Sequence, residues 1–194
     1  RVAAKAFRNG ARNPNAWRRK PISEEEIRSS FVIADPLTQY MFCAPAEGAV
    51  ALVVARAAAC DVTARRVTLR SAVLQTRTFG TFEVFSPSLS TTRTPSPSVF
   101  AAKAALQLAD VQPGEVDVAQ IQDTESGAEI MHMAETGLCA DGEQEDLVLS
   151  GATEVDGALP INTDGGCLAN GEPIGASGLR QIYENVLQLR GDAQ

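Results

Sequence analysis

The sequence predicts an α/β layered domain, and three observations carry that expectation. Short apolar runs suited to strands alternate with longer segments whose apolar residues recur every three to four positions. The stretch from Asn162 to Gly178 packs five glycines, two asparagines and a proline into seventeen positions, the build of a sharp turn delivering a helix N-terminus. The composition, 44% hydrophobic and 21% charged over 194 residues, suits one globular domain able to bury a core.

Residues 1–48 read as a loop-rich excursion with a basic, helical start, interrupted at Asn13-Pro14, Lys20-Pro21, Asp35-Pro36 and Ala44-Pro45. One short helix is expected there, from a Ser23 N-cap through Ser30. Residues 49–194 read as the domain proper. Ala49 to Ala55 is a continuous apolar run, expected as a strand buried on both faces, and Val67 to Leu74 alternates as a second strand. Residues 86–98 form a Ser/Thr/Pro loop that caps a helix from Val99 to Ala109, with Val99, Ala102, Leu106 and Ala109 at helical spacing. Val116 to Gln122 alternates like a third strand, and a helix from Ala128 to Thr136 is closed by Gly137. After an acidic loop and the glycine stretch comes a last helix whose Leu179, Ile182, Tyr183, Val186 and Leu189 share one face before Gly191, with Tyr183 expected in the core. The chain lacks an initiating methionine and ends just after this helix, so the reading is of a fragment whose domain is incomplete at its end.

Charge narrows the function classes. The net charge is −7, yet the first twenty residues hold seven of the 17 basic residues and no acid, so a basic arm precedes an acidic body. Nucleic acid is a poor fit, because only Phe7 and Trp17 are interleaved with the arm and the body would repel a polyphosphate backbone. A solvated surface segment and a contact for a small polyanion such as a nucleotide cofactor both remain open. The longest apolar stretch, Gly48 to Cys60, is broken by Arg56 and falls short of the ~20 residues of a membrane span, so a cytoplasmic protein is expected. Four scattered cysteines and one histidine argue for reduced thiols and no metal. His132 reads as a packed or surface residue, and Cys139 and Cys167 as small buried hydrophobes.

The sequence NTDGGCLANGEPIGASGLR, beginning at Asn162, resembles the glycine-rich signature of the thiolase family: Asn, two residues, Gly-Gly, four residues, Gly-His-Pro, one residue, Gly-Ala-Ser-Gly. Residues 9–55, with their Ala-Asp-Pro-Leu and Glu-Gly-Ala stretches, resemble the segment by which thiolases of the sterol-carrier type leave and re-enter their first half. The resemblance implies a layered αβαβα sandwich, with residues 1–48 ending the first half and 49–194 forming most of the second. It implies acyl chemistry on a coenzyme A thioester, a homodimer or tetramer or a partner chain carrying the first half, and a cysteine nucleophile outside this chain.

The family's strand-end motif, Asn-Glu-Ala-Phe or His-Asp-Cys-Phe, falls on Gln122-Asp123-Thr124-Glu125, and the Gly-His-Pro histidine falls on Glu172. The resemblance thus makes Glu172, Gln122, Asp123 and Asn162 the catalytic candidates, and Arg12, Arg18, Arg19, Gly171 and Ser177 the candidates for binding the acyl-CoA. The departures change the chemistry. A histidine can donate to a thioester oxygen on which charge develops, whereas an ionised carboxylate repels it. Three roles follow: thiolase-like acyl transfer, cleavage of a carbon-carbon bond with Glu172 or Asp123 as base in lipid or sterol degradation, or a non-catalytic acyl-CoA-binding or lipid-transfer subunit.

Overall fold

A computed structural model describes residues 1–60, 65–77 and 95–193. Its first helix, α1 (Val2–Arg12), is a core element: Val2, Ala3, Ala4, Ala6 and Phe7 are buried together with Ile27, Leu168 and Ala169. Its basic residues obscure a helical stripe of small apolar ones. Burying a side chain such as Phe7 is worth about 1.5–3 kcal/mol, which decides the segment's place. The basic segment is therefore no freestanding arm. Small residues let α1 touch the short helix Gly166–Asn170 closely, since a Cβ on Gly10 would collide with that of Ala169, and one on Gly165 would lie 2.8 Å from Gly10 N.

Helix α2 (Glu24–Ser29) forms as its cap signal predicts, with Ser23 Oγ accepting the Glu26 N–H at 3.1 Å and three glutamates in the first turn. Beyond it, β1 (Val32–Ala34) pairs antiparallel with β2 (Leu37–Thr38) across a cis Asp35-Pro36 bond. These are the only ladder strands among the described residues.

The three expected strands are not formed. Residues 49–55 form no ladder and are largely exposed, Val53 at 97%, and 67–74 likewise form none, with Leu74 90% exposed. Apolarity makes a strand only where a neighbouring backbone supplies hydrogen bonds, and among the described residues none bonds to either segment. Residues 116–122 keep their alternation, placing Ala119 and Ile121 in a second core with Met133 and Ile161, but their pairing is a single parallel bridge, Ala119 to Ile161. Residues 86–94 of the expected Ser/Thr/Pro loop lie outside the described residues.

The remaining helices are α3 (Pro97–Ala109), α4 (Ser126–Glu135), α5 (Gln144–Ser150), α6 (Gly166–Asn170) and α7 (Ser177–Arg190). Ser96 caps α3, Gly137 follows α4 at φ 77°, and Gly191 ends α7 at φ 67°. Helix α5 occupies part of the expected acidic loop, because Leu147 and Val148 reach the second core. Helix α7 is turned opposite to expectation. Ser177, Arg180 and Glu184 are buried, whereas Leu179, Ile182, Tyr183 and Leu189 are 39%, 45%, 39% and 64% exposed, so Tyr183 is not core. Arg180 pairs with Asp164 and Thr163 Oγ1 donates to Glu184 at 2.7 Å, and these bonds draw the polar face inward. No helix among the described residues is long and apolar enough to cross a membrane.

Candidate functional site

The glycine stretch builds a carboxylate holder. Gly171 sits at φ 78°, and a Cβ there would lie 2.5 Å from that of Ala46, so only glycine fits the close pass against residues 44–46. That pass is locked by Glu172 N–H donating to Ala44 O at 2.9 Å. Pro173 then directs the chain into α7. The half-buried Glu172 side chain turns back, accepting from Gln122 Nε2 at 3.1 Å and from Ser177 Oγ, in the first turn of α7, at 2.9 Å. Gln181, one turn further along α7, donates to Gln122 Oε1 at 3.2 Å and fixes the amide's orientation. A shallow groove of ≈ 620 Å³ opens beside Glu172, walled by Pro45, Ala46, Pro173, Ile174 and Leu179.

The other candidates fall in three places. Asp123 is wholly buried under the start of α6, accepting the backbone N–H of Cys167 at 2.6 Å and of Leu168 at 3.4 Å. Burial, then the charge of Glu129, holds its carboxyl well above the usual carboxylate range. Asn162 is also wholly buried, bonded to Ile121 N–H and to Glu129. The arginines diverge. Arg18 donates to Phe42 O at 3.0 Å and Leu168 O at 3.3 Å and lies 5.6 Å from the Phe7 ring centroid, with burial lowering its pKa. Arg19 is exposed and turns to Pro14 O, and Arg12 is exposed at the last turn of α1.

Two thiols close around Glu172 that sequence reasoning had not placed there. Cys167 is fully buried, and its thiol is pushed far up by burial, then by Asp123 and Glu172. Half-buried Cys43 is raised by burial first and then by the charges of Glu172 and Asp123. Neither is a ready thiolate. Cys43 carries no local signal, since it reaches the site through long-range pairings: its own N–H to Thr124 O at 2.9 Å, Phe42 with Glu125, and Pro45 with Glu172. Gln181 had one, standing four residues after Ser177 on the same helical face.

This fold and the glycine-loop site place the chain in a family: residues 86–194 match the family described as thiolase C-terminal domain-like, and the chain belongs to it. It is 31% identical to an acetyl-CoA acetyltransferase of Methanothermobacter thermautotrophicus over 95% of this chain and 47% of the relative. It is 34% identical to the 17-hydroxy-3-oxo-4-pregnene-20-carboxyl-CoA lyase of Mycobacterium tuberculosis over 95% of this chain and 47% of the relative. A solved structure titled Ltp2-ChsH2(DUF35) aldolase superposes with a TM-score of 0.74 at 22% identity, over 99% of this chain and 50% of that one, so the fold is thiolase-like. The chain spans about half the length of the curated relatives it matches.

Proposed function

We propose that, in the complete protein, these residues cleave a carbon-carbon bond of a 3-hydroxyacyl coenzyme A thioester, with Glu172 as general base. The observation that carries this reading is the grip on Glu172: Gln122 and Ser177 aim a carboxyl group at an apolar groove, at the position of the thiolase histidine. Both donors are neutral, and each carboxylate oxygen retains a lone pair for a substrate hydroxyl.

Glu172 takes the 3-hydroxyl proton. The C2–C3 bond breaks, the C3 oxygen becomes a carbonyl, and the electron pair passes into the enolate of the shortened thioester. That enolate takes the proton back from Glu172 at C2. No cysteine nucleophile is needed, which agrees with the raised thiols of Cys43 and Cys167. Asp123, already bonded to two backbone N–H groups, serves as a positioning group. The lyase relative and the aldolase-titled fold neighbour support this chemistry.

Acyl transfer is the second reading, favoured by the identity to an acetyltransferase. In either case the exposed Arg12 and Arg19 are our candidates for the coenzyme's phosphates, and the buried Gly171 and Ser177 act on the thioester through the loop and the Glu172 side chain that they hold. Residues 1–48 then end the first thiolase half and 49–194 form the second. The exposed apolar side of α7 favours an oligomer, or a partner chain supplying the rest of the fold.

Turnover of a 3-hydroxyacyl-CoA by the complete protein tests the reading. Glu172→Gln should lower kcat by about 10²–10⁴, the usual contribution of a general base, without weakening binding. A variant that cleaves at the wild-type rate sinks it.

A further inference from the structure

We infer that Asn162 and Glu129 are positioning residues for the Glu172 site, with Lys5 as their buried counter-ion; the inference rests on the reading of Glu172 as base. The parallel bridge shows why. Ala119 N–H donates to Pro160 O and Asn162 N–H donates to Ala119 O, both at 3.0 Å, the two bonds of one parallel rung. The next bond of such a ladder would run from Ile121 N–H to the main-chain carbonyl of residue 162.

It does not, because Asn162 stands at φ 54° and the backbone has already turned away. Its main-chain oxygen instead accepts from Asn9 Nδ2 at 3.1 Å and from Gly165 N–H at 3.0 Å. The side chain fills the gap: Oδ1 accepts the Ile121 N–H at 3.0 Å. One residue therefore continues the ladder and starts the glycine loop at once. Glycine would adopt the same φ but would leave Ile121 unpaired.

The amide is held from behind. Asn162 Nδ2 donates to Glu129 Oε2 at 2.8 Å, and Lys5 Nζ donates to Glu129 Oε1 at 2.6 Å and to Ile161 O at 3.0 Å. All three side chains are at most 2% exposed, so the geometry is screened from water. The next main-chain bond along the segment is Cys43 N–H to Thr124 O at 2.9 Å, beside the antiparallel bridge of Phe42 with Glu125, so between Ala119 and Thr124 the Asn162 amide is what ties the backbone down, and successive side chains alternate. Fixing Ile121 toward the core thus aims Gln122 at Glu172.

Kinetics and a crystal structure of the complete protein test this. Asn162→Gly should lower kcat for 3-hydroxyacyl-CoA cleavage about tenfold, the worth of one hydrogen bond, leave KM within about twofold, and open the 3.1 Å contact between Gln122 and Glu172. The control is Ile27→Ala, which removes volume from the other core, away from Ile121 and Glu129, and should lower Tm without changing kcat. Wild-type kcat together with an intact Gln122 to Glu172 contact in Asn162→Gly overturns the inference. If Glu172→Gln itself leaves cleavage unchanged, the base reading has failed, and the contact in the Asn162→Gly crystal alone decides the positioning. Should Asn162→Gly not fold, Glu129→Gln, a neutral residue of equal size, decides: a kcat loss of about threefold at constant KM supports the inference, and wild-type kcat overturns it.

Discussion

The Asp123 carboxylate occupies the space that a side chain at Gly166 would need. A Cβ built on Gly166 falls within the carboxylate, and Gly166 also stands at φ 59°. Glycine is required there twice over, once for its backbone and once so that α6 can lower its first N–H groups onto Asp123. Gly166→Ala should therefore lose more than the 1–3 kcal/mol of a strained left-handed residue. Denaturant unfolding checks this, and a loss below about 1 kcal/mol would show that the carboxylate moves aside freely.

Asp123 also predicts a pH dependence. Its folded-state carboxyl titrates well above the 3.8 of an ordinary aspartate, so between those values the folded chain holds a proton that the unfolded chain has released. Stability must fall as pH rises through that window. Asp123→Asn keeps an oxygen for the Cys167 N–H and removes the titration. Its stability relative to wild type should rise as pH is raised from 4 toward neutrality, and parallel curves in urea titrations at several pH values would refute the assignment.

The buried pair of Lys5 and Glu129 predicts non-additivity. Removing one partner strands a charge in the core, so Lys5→Met should cost about 3–5 kcal/mol. Removing both charges with Lys5→Met and Glu129→Gln should restore most of that loss. A double-mutant cycle reads the coupling, and simple addition of the two single effects would contradict it.

The exposed apolar side of α7 predicts association. Ile182→Lys and Leu189→Lys leave the buried Ser177, Arg180 and Glu184 in place, so the helix should persist in circular dichroism. Light scattering of the complete protein should report a smaller assembly or looser binding of a partner chain. An unchanged mass and affinity would leave that face without a partner.

Local signals made part of this structure legible. Ser23, Ser96, Gly137 and Gly191 mark helix ends by side-chain and φ preferences that act within a few residues, and the ends they mark are found. The close pass at Gly171 was likewise readable as a sharp loop. What remained hidden depends on partners far along the chain. Lys5 looks like surface charge until Glu129, 124 residues away, is placed beside it. The inward face of α7 follows from Asp164 and Glu184, which no helical periodicity reports. The apolar run at 49–55 has a strand's composition, but pairing is a property of two segments. The contacts of Glu172 were foreshadowed only through the family resemblance, and Cys43 was absent from that expectation.

The packing of α1 against residues 161–169 has a consequence for biosynthesis. Lys5 finds the Ile161 carbonyl 156 residues later in the chain. At roughly 5–20 residues per second of translation, the apolar stripe of α1 waits on the order of ten to thirty seconds for the segment that covers it. During that interval the apolar residues of this segment lack their cover and its lysine stays hydrated, a surface of the kind that ribosome-associated chaperones hold, and the charge can be buried only after residue 161 has been made.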